Sequence, residues 1–315
     1  MSRYALRVLY PRTALRACLR SHARVARVLR EWRLSRLPRV LALLGLASSC
    51  LSAAAVHADT PPLTVNNGVA EQRYSAPQLL ARPDATVVHV DEDAYHNKVA
   101  YRAVPLLALL GKHTDARFDT VEAQASDGFV SQIPLPLIAK GDQQGAIAWV
   151  AVEDPAQPWP NLPNEQASAG PYYLIWEHPE RSGVTREQWP YKLVRLSLVE
   201  SPDHRWPQLA VPAAFSADAA VNRGHDVFLV QCAVCHRING GGAGEVGPDL
   251  GTPMSPTQYL TDSGLRAIVR NPKAVRTWPN QRMPGFSEAV VSNADLDALV
   301  QYLHALAQHG NAPKQ

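Results

Sequence analysis

Between residues 85 and 199, short runs dense in β-branched and aromatic residues recur, each bounded by Pro or Gly: ATVVHV (85–90), GAIAWVAVE (145–153), PYYLIWE (171–177) and YKLVRLSLV (191–199). Runs of this kind predict strands. One segment breaks the pattern: in VPLLALLGK (104–112), Leu106, Leu107, Leu109 and Leu110 stand too close together for alternation, and Gly111 can cap them as a short helix. The stretch 154–171 contains five prolines and is expected to be a long surface loop.

After residue 200 the pattern changes. SPDHRWPQLAVPAAFSA (201–217) has prolines at 202, 207 and 212 and no sustained period, so residues 206–217 are expected to link two domains. Beyond it, 218–236 and 256–271 each allow a helix. The clearest follows Ser292, a plausible N-cap with Asp295 three residues on. Leu296, Leu299, Val300, Leu303 and Leu306 then recur at helical spacing up to Gly310. The expected architecture is therefore two domains: a β-rich α+β domain over residues 59–205, and an all-α domain over residues 218–315.

Composition changes the picture chiefly at the N-terminus. The apolar fraction of 46% suits folded structure. Residues 1–58, however, hold 11 basic side chains and the single acid Glu31, and the apolar stretch VLALLGLASSCLSAAAV leads into small residues around Ala58. A basic region, an apolar core and a small-residue site together read as a secretory signal cut before Asp59, which places the mature chain in the periplasm. The alternatives are an uncleaved anchor, a lipoprotein acylated at Cys50 or a transit peptide. The apolar stretch of 17 residues, with three serines, is short of the roughly 20 that a spanning helix needs, so a membrane anchor is not expected. Without residues 1–58 the chain has 20 basic and 27 acidic side chains, a formal net of −7, all of it on residues 59–215. That balance disfavours a nucleic-acid partner. Of the four cysteines, Cys18 and Cys50 leave with the leader, and only Cys232 and Cys235 remain.

Those two lie in CAVCH, directly before His236. Three chemistries compete for the motif. A structural zinc site needs four closed ligands, and the mature chain has no second cysteine pair. A thioredoxin-like dithiol expects a βαβ setting, whereas the surroundings here read as helical. Covalent haem fits better: side chains at i, i+3 and i+4 share a helix face, so both sulfurs can form thioethers while the imidazole reaches iron from the same side. A ligand for the opposite face would come from Met283, in the proline-containing loop NQRMPGF, or less favourably from Met254. His/Met ligation raises the reduction potential, which suits an electron carrier. Arg276, Trp278 and Arg282 flank the methionine and either bond the haem propionates or form a solvated loop surface.

With CAVCH, Gly224, Phe228, GPDL (247–250), MPGF (283–286) and ALVQYLHAL (298–306) in place, residues 219–310 resemble a class I c-type cytochrome domain. The resemblance implies one covalently bound haem c and N- and C-terminal helices crossing with Gly224 and Phe228 against Tyr302 and Leu303. It also implies that Pro248 offers its carbonyl to the N–H of His236 that faces away from iron, and that Phe228, Trp278, Phe286 and Tyr302 wall the haem. Residues 59–200 resemble, through YRAVPLLALLG (101–111), ASDGFVSQIPL (125–135), GPYYLIWEHP (170–179) and WPYKLVRLSLV (189–199), the molybdopterin-binding-like domain of sulfite oxidase relatives. Enzymes of that group hold molybdenum through a cysteine, and none lies between residues 59 and 231. Ser126, Asp127 and Gly128 are expected to form a turn, His96 and His113 to be surface residues, and Trp149, Trp159, Trp176 and Trp189 to pack. The expected function is an exported mono-haem electron carrier, not itself an enzyme, whose first domain docks a redox protein or a small ligand. The alternative is the haem-containing subunit of a periplasmic redox enzyme, with substrate or pterin bound by the first domain.

Overall fold

The computed structural model describes residues 60–309, apart from 93, 112–114 and 164. The leader with Cys18 and Cys50, His113 and Gly310 lie outside the described residues. The β-rich region contains β1 (Leu63–Asn66), β2 (Glu71–Tyr74), β3 (Thr86–Glu92), β4 (Asn97–Pro105), β5 (Thr120–Ala125), β6 (Val130–Pro134), β7 (Ile147–Val152), β8 (Tyr172–Glu177) and β9 (Leu193–Val199). Three short helices accompany them: α1 (Ala76–Leu80), α2 (Leu106–Leu110) and α3 (Leu135–Ala139).

The strands form a five-stranded sheet in the order β2-β1-β9-β5-β6 and a four-stranded sheet in the order β3-β4-β7-β8. Among the described residues only β1 and β9 pair in parallel; their register sets Val65 beside Leu196, which in turn sits beside Ala123 of β5. These residues join Val150, Leu174, Trp176 and the helical Leu79, Leu106 and Ile138 in one buried core. The other face of the four-stranded sheet is covered as well, by Leu162, Trp159 and Ala169 from the proline-rich segment and by Trp189 and Tyr191. Two buried faces explain why β8 reads as a continuous apolar run instead of alternating. The expected long surface loop over 154–171 is irregular and largely exposed, with Trp159, Leu162 and Ala169 packed down onto the sheet.

The helical region has α4 (Pro202–Arg205), α5 (Ala219–Val227), α6 (Pro256–Tyr259), α7 (Asp262–Arg270), α8 (Pro272–Val275) and α9 (Asn293–His309). Asp218 caps α5, accepting from the backbone N–H of Ala220 and Val221. Ser292 accepts from the N–H of Asp295 at 3.1 Å at the start of α9. The single helix expected over 256–271 is two, because Leu260 is extended and the Thr261 side chain starts a new helix by accepting from the N–H of Gly264. Helices α5 and α9 cross so closely that a Cβ on Gly224 would stand 2.0 Å from the Ala298 carbonyl oxygen; only glycine fits. Phe228 and Tyr302 are fully buried at this crossing, their ring centroids 5.6 Å apart.

The segment expected to be a linker is not a loose tether. Leu209 is buried in the helical core with Trp206, Val211 and Phe215 packed beside it, and Tyr302 donates its hydroxyl to the Leu209 carbonyl at 2.5 Å. Proline spacing reports the lack of a helical period, not a lack of packing. Among the described residues no helix is long and apolar enough to cross a membrane.

Candidate functional site

Helix α5 does not run straight into the cysteines. It passes through a π-helical turn, Phe228–Cys232, closed by donation from the Ala233 N–H to the Phe228 carbonyl at 2.8 Å. The N–H groups of Cys235 and His236 then both donate to the Cys232 carbonyl, at 3.0 and 2.9 Å, which folds CAVCH into one tight turn. Both thiols are free. Burial, reinforced by Glu187 and by Cys235, pushes the Cys232 thiol up to about 12; burial likewise raises Cys235 to about 11. A redox dithiol depends on a stabilised thiolate, so this pocket favours the opposite species. Among the described residues no group of three or more His, Cys, Asp or Glu side chains could hold a metal ion, so a closed zinc set is not assembled.

His236 Nδ1 lies 2.8 Å from the Pro248 carbonyl. A carbonyl only accepts, so Nδ1 carries the proton and the Nε2 lone pair is left for a ligand. Burial lowers the pKa of the imidazole, against the pull of the Pro248 carbonyl and the Asp249 charge, and the neutral form that ligates metals is the one favoured. Gly247 passes so close that a Cβ there would meet the His236 Cε1 at 2.4 Å. Asp249 fixes this loop by accepting from the N–H groups of Asn239, Gly240, Gly251 and Thr252 at 2.7–2.9 Å. Burial alone would raise its carboxyl, but the four donors together hold it below its ordinary value.

Met283 packs, partly buried, onto the same apolar cluster as Cys232, Leu250, Val269 and Phe286. Met254 is 49% exposed, which leaves Met283 the better-placed sulfur. The sequence offered no hint of Arg270, yet this residue anchors the chain just beyond the methionine. It donates to the carbonyls of Phe286 at 3.0 Å and Val291 at 2.6 Å, and to Asn293 Oδ1 at 2.9 Å. The Phe286 N–H completes the clamp by donating to the Val269 carbonyl at 3.0 Å. An arginine ending an amphipathic helix is ordinarily solvated, so nothing local could have marked it. Of the three residues expected at the rim, Arg276 stands over the Trp278 ring at 5.8 Å, and Trp278 is 48% exposed. Arg282 pairs with Asp127 of the β-rich region at 2.6 Å. His96 is exposed, and Trp176 belongs to the core with its Nε1 donating to the Gln188 carbonyl at 2.8 Å.

These features fit a covalently held haem: two cysteine sulfurs and an imidazole on one turn, with a thioether and apolar side chains close by. Among the described residues six large apolar side chains are exposed, and four of them, Met254, Tyr259, Val275 and Trp278, fall between 254 and 278.

Comparison with known families matches residues 221–307 to the model of cytochrome c. No curated protein matches the chain. Residues 221–307 are therefore a cytochrome c domain, and the match supports haem-based electron transfer with haem c bound covalently.

Proposed function

We propose that the chain is an exported, mono-haem c-type cytochrome that passes single electrons between redox proteins. The observation that carries this reading is the CAVCH turn, which folds both cysteines and His236 together while His236 commits Nδ1 to Pro248 and keeps Nε2 for a ligand. Bound haem supplies the one-electron Fe(III)/Fe(II) couple. Cys232 and Cys235 would hold it as thioethers, and His236 and Met283 would supply the ligands to its iron. Pro248 fixes the imidazole plane, a constraint that also tunes the basicity of the ring. Phe286 supplies apolar wall, while Arg276, Trp278 and Arg282 stand at the rim, where cationic and indole N–H donors suit propionates. In this reading residues 1–58 are removed as a signal peptide on the way to the periplasm, residues 59–205 dock partners and residues 218–315 carry the haem.

The experiment is a haem-stained denaturing gel of protein matured in a host competent for haem attachment. Wild type is expected to stain, and the Cys232→Ala/Cys235→Ala double variant to lose the stain entirely; a stained band from the double variant would refute the assignment.

One observation favours a second reading, a haem-bearing subunit of a redox enzyme. The β-rich region has a shallow groove of about 320 Å³ lined by Tyr95, Asn97, Val99, Tyr101, Trp159 and Pro160, where this reading would place a small ligand. A sulfite-oxidase-like fold without a metal-binding cysteine would hold such a ligand without molybdenum. Denaturing extraction of the purified protein separates the readings: a pterin or other small ligand released in stoichiometric amount would favour the enzyme, and none would favour the carrier.

A further inference from the structure

The turn between β5 and β6 is far from CAVCH in sequence but touches both loops that carry the axial side chains. Its backbone is tightly fixed: the Ala125 N–H donates to the Phe129 carbonyl at 2.9 Å, Ser126 N–H to the Lys192 carbonyl at 3.0 Å, and Phe129 N–H to Asp127 Oδ1 at 3.2 Å. On the histidine side, the Val130 N–H donates to the Val234 carbonyl, inside CAVCH, at 3.1 Å. A Cβ on Gly128 would lie in ordinary contact with Glu245 and Val246, just before Gly247, at 3.7 and 3.8 Å. On the methionine side, Arg282 Nη2 donates to Asp127 Oδ2 at 2.6 Å, one residue before Met283.

We propose that the β5–β6 turn is a clasp across the haem site, and that Asp127 is a positioning residue which, through Arg282, holds the Met283 sulfur at its ligating place. The proposal rests on the reading of Met283 as axial ligand. The Met283 loop has no regular structure between Trp278 and Gly285, so this ion pair is a constraint that strands and helices do not supply there. Asp127 divides its two oxygens: Oδ1 serves the turn and Oδ2 the arginine. Asp127→Asn therefore keeps an acceptor for the Phe129 N–H and replaces the charged acceptor that Arg282 meets with an amide NH2, which cannot accept from it. The side chains are 30% and 53% exposed, so the pair belongs to the weaker class of ion pairs and is sensitive to salt.

The test uses the full-length holoprotein in its oxidised state, with imidazole as a competitor that displaces the methionine and abolishes the near-infrared sulfur-to-iron charge-transfer band. Asp127→Asn is expected to bind imidazole about two- to five-fold more tightly than wild type at low salt, the size of an exposed ion pair. The difference should vanish at high salt. It should also vanish when Asp127→Asn is made in an Arg282→Gln background, because the charge then has no partner, and Asp127→Glu should recover part of the wild-type affinity. If Met283→Ala loses the band but Asp127→Asn binds imidazole as wild type does, the clasp is wrong while the ligand assignment stands. An Asp127→Asn effect that persists unchanged in Arg282→Gln overturns the clasp equally. A wild-type protein without the band, or a Met283→Ala variant that keeps it, removes the ligand assignment and the clasp together.

Discussion

The two regions bury apolar surface in different ways. In the β-rich region the four-stranded sheet is covered on both faces, by the five-stranded sheet with α1, α2 and α3 on one side and by the proline-rich segment on the other. In the helical region a single cluster gathers around the α5–α9 crossing, while Met254, Tyr259, Val275 and Trp278 stay exposed. The first region completes its core from its own chain. In the second, the haem c that the cytochrome c match implies would add apolar contacts beside that cluster.

The largest expected effect follows directly. Preventing haem attachment with Cys232→Ala/Cys235→Ala should strip hydrogen-exchange protection from α5 and α9 while leaving β5 and β9 close to wild type. Uniform loss across both regions would show that the β-rich core is not self-sufficient. Trp176→Ala inverts the experiment: the side chain is fully buried in the two-sheet core, so its loss should destabilise the β-rich region by about 3–5 kcal/mol in denaturant unfolding, with the haem thioethers intact. Asp249→Asn acts within the helical region, where one carboxylate serves four N–H groups; a cost of about 1–3 kcal/mol near neutral pH is expected. Because folding depresses this carboxyl, its contribution is complete above the ordinary value of 3.8 and is lost as pH falls through the lower folded value. The gap between wild type and Asp249→Asn should therefore close on acidification below 3.8, and a gap independent of pH would contradict the account. Smallest is Trp278→Ala, expected to change the stability of the haem-free protein by less than about 0.5 kcal/mol, since the indole is half exposed.

What the sequence made legible was local. The runs that became β7, β8 and β9 stand out because β-branched and aromatic residues are concentrated there, and α9 because its leucines repeat at helical spacing. The turn that brings Cys232, Cys235 and His236 together follows from spacing alone. Strands β1, β2, β4, β5 and β6 escaped notice for separate reasons. Strand β2, EQRY, is largely exposed and has no apolar face to mark it. Strand β1 is only four residues long and is identified by its neighbours β2 and β9, not by its own pattern. Strand β5, TVEAQA, does alternate in burial, but its inward positions include two alanines, which carry little apolar signal. At the site, the hidden residues act across long separations. Asp127 and Arg282 are 155 residues apart, and Arg270 works through backbone carbonyls that any sequence would supply. No local spacing encodes such pairs.

Whether CAVCH carries the haem can be read from peptide mass spectrometry of the mature protein. One haem per chain is expected, attached through both sulfurs to the peptide that spans Cys232 and His236. The same peptide recovered with two unmodified thiols, or with a disulfide, would contradict it.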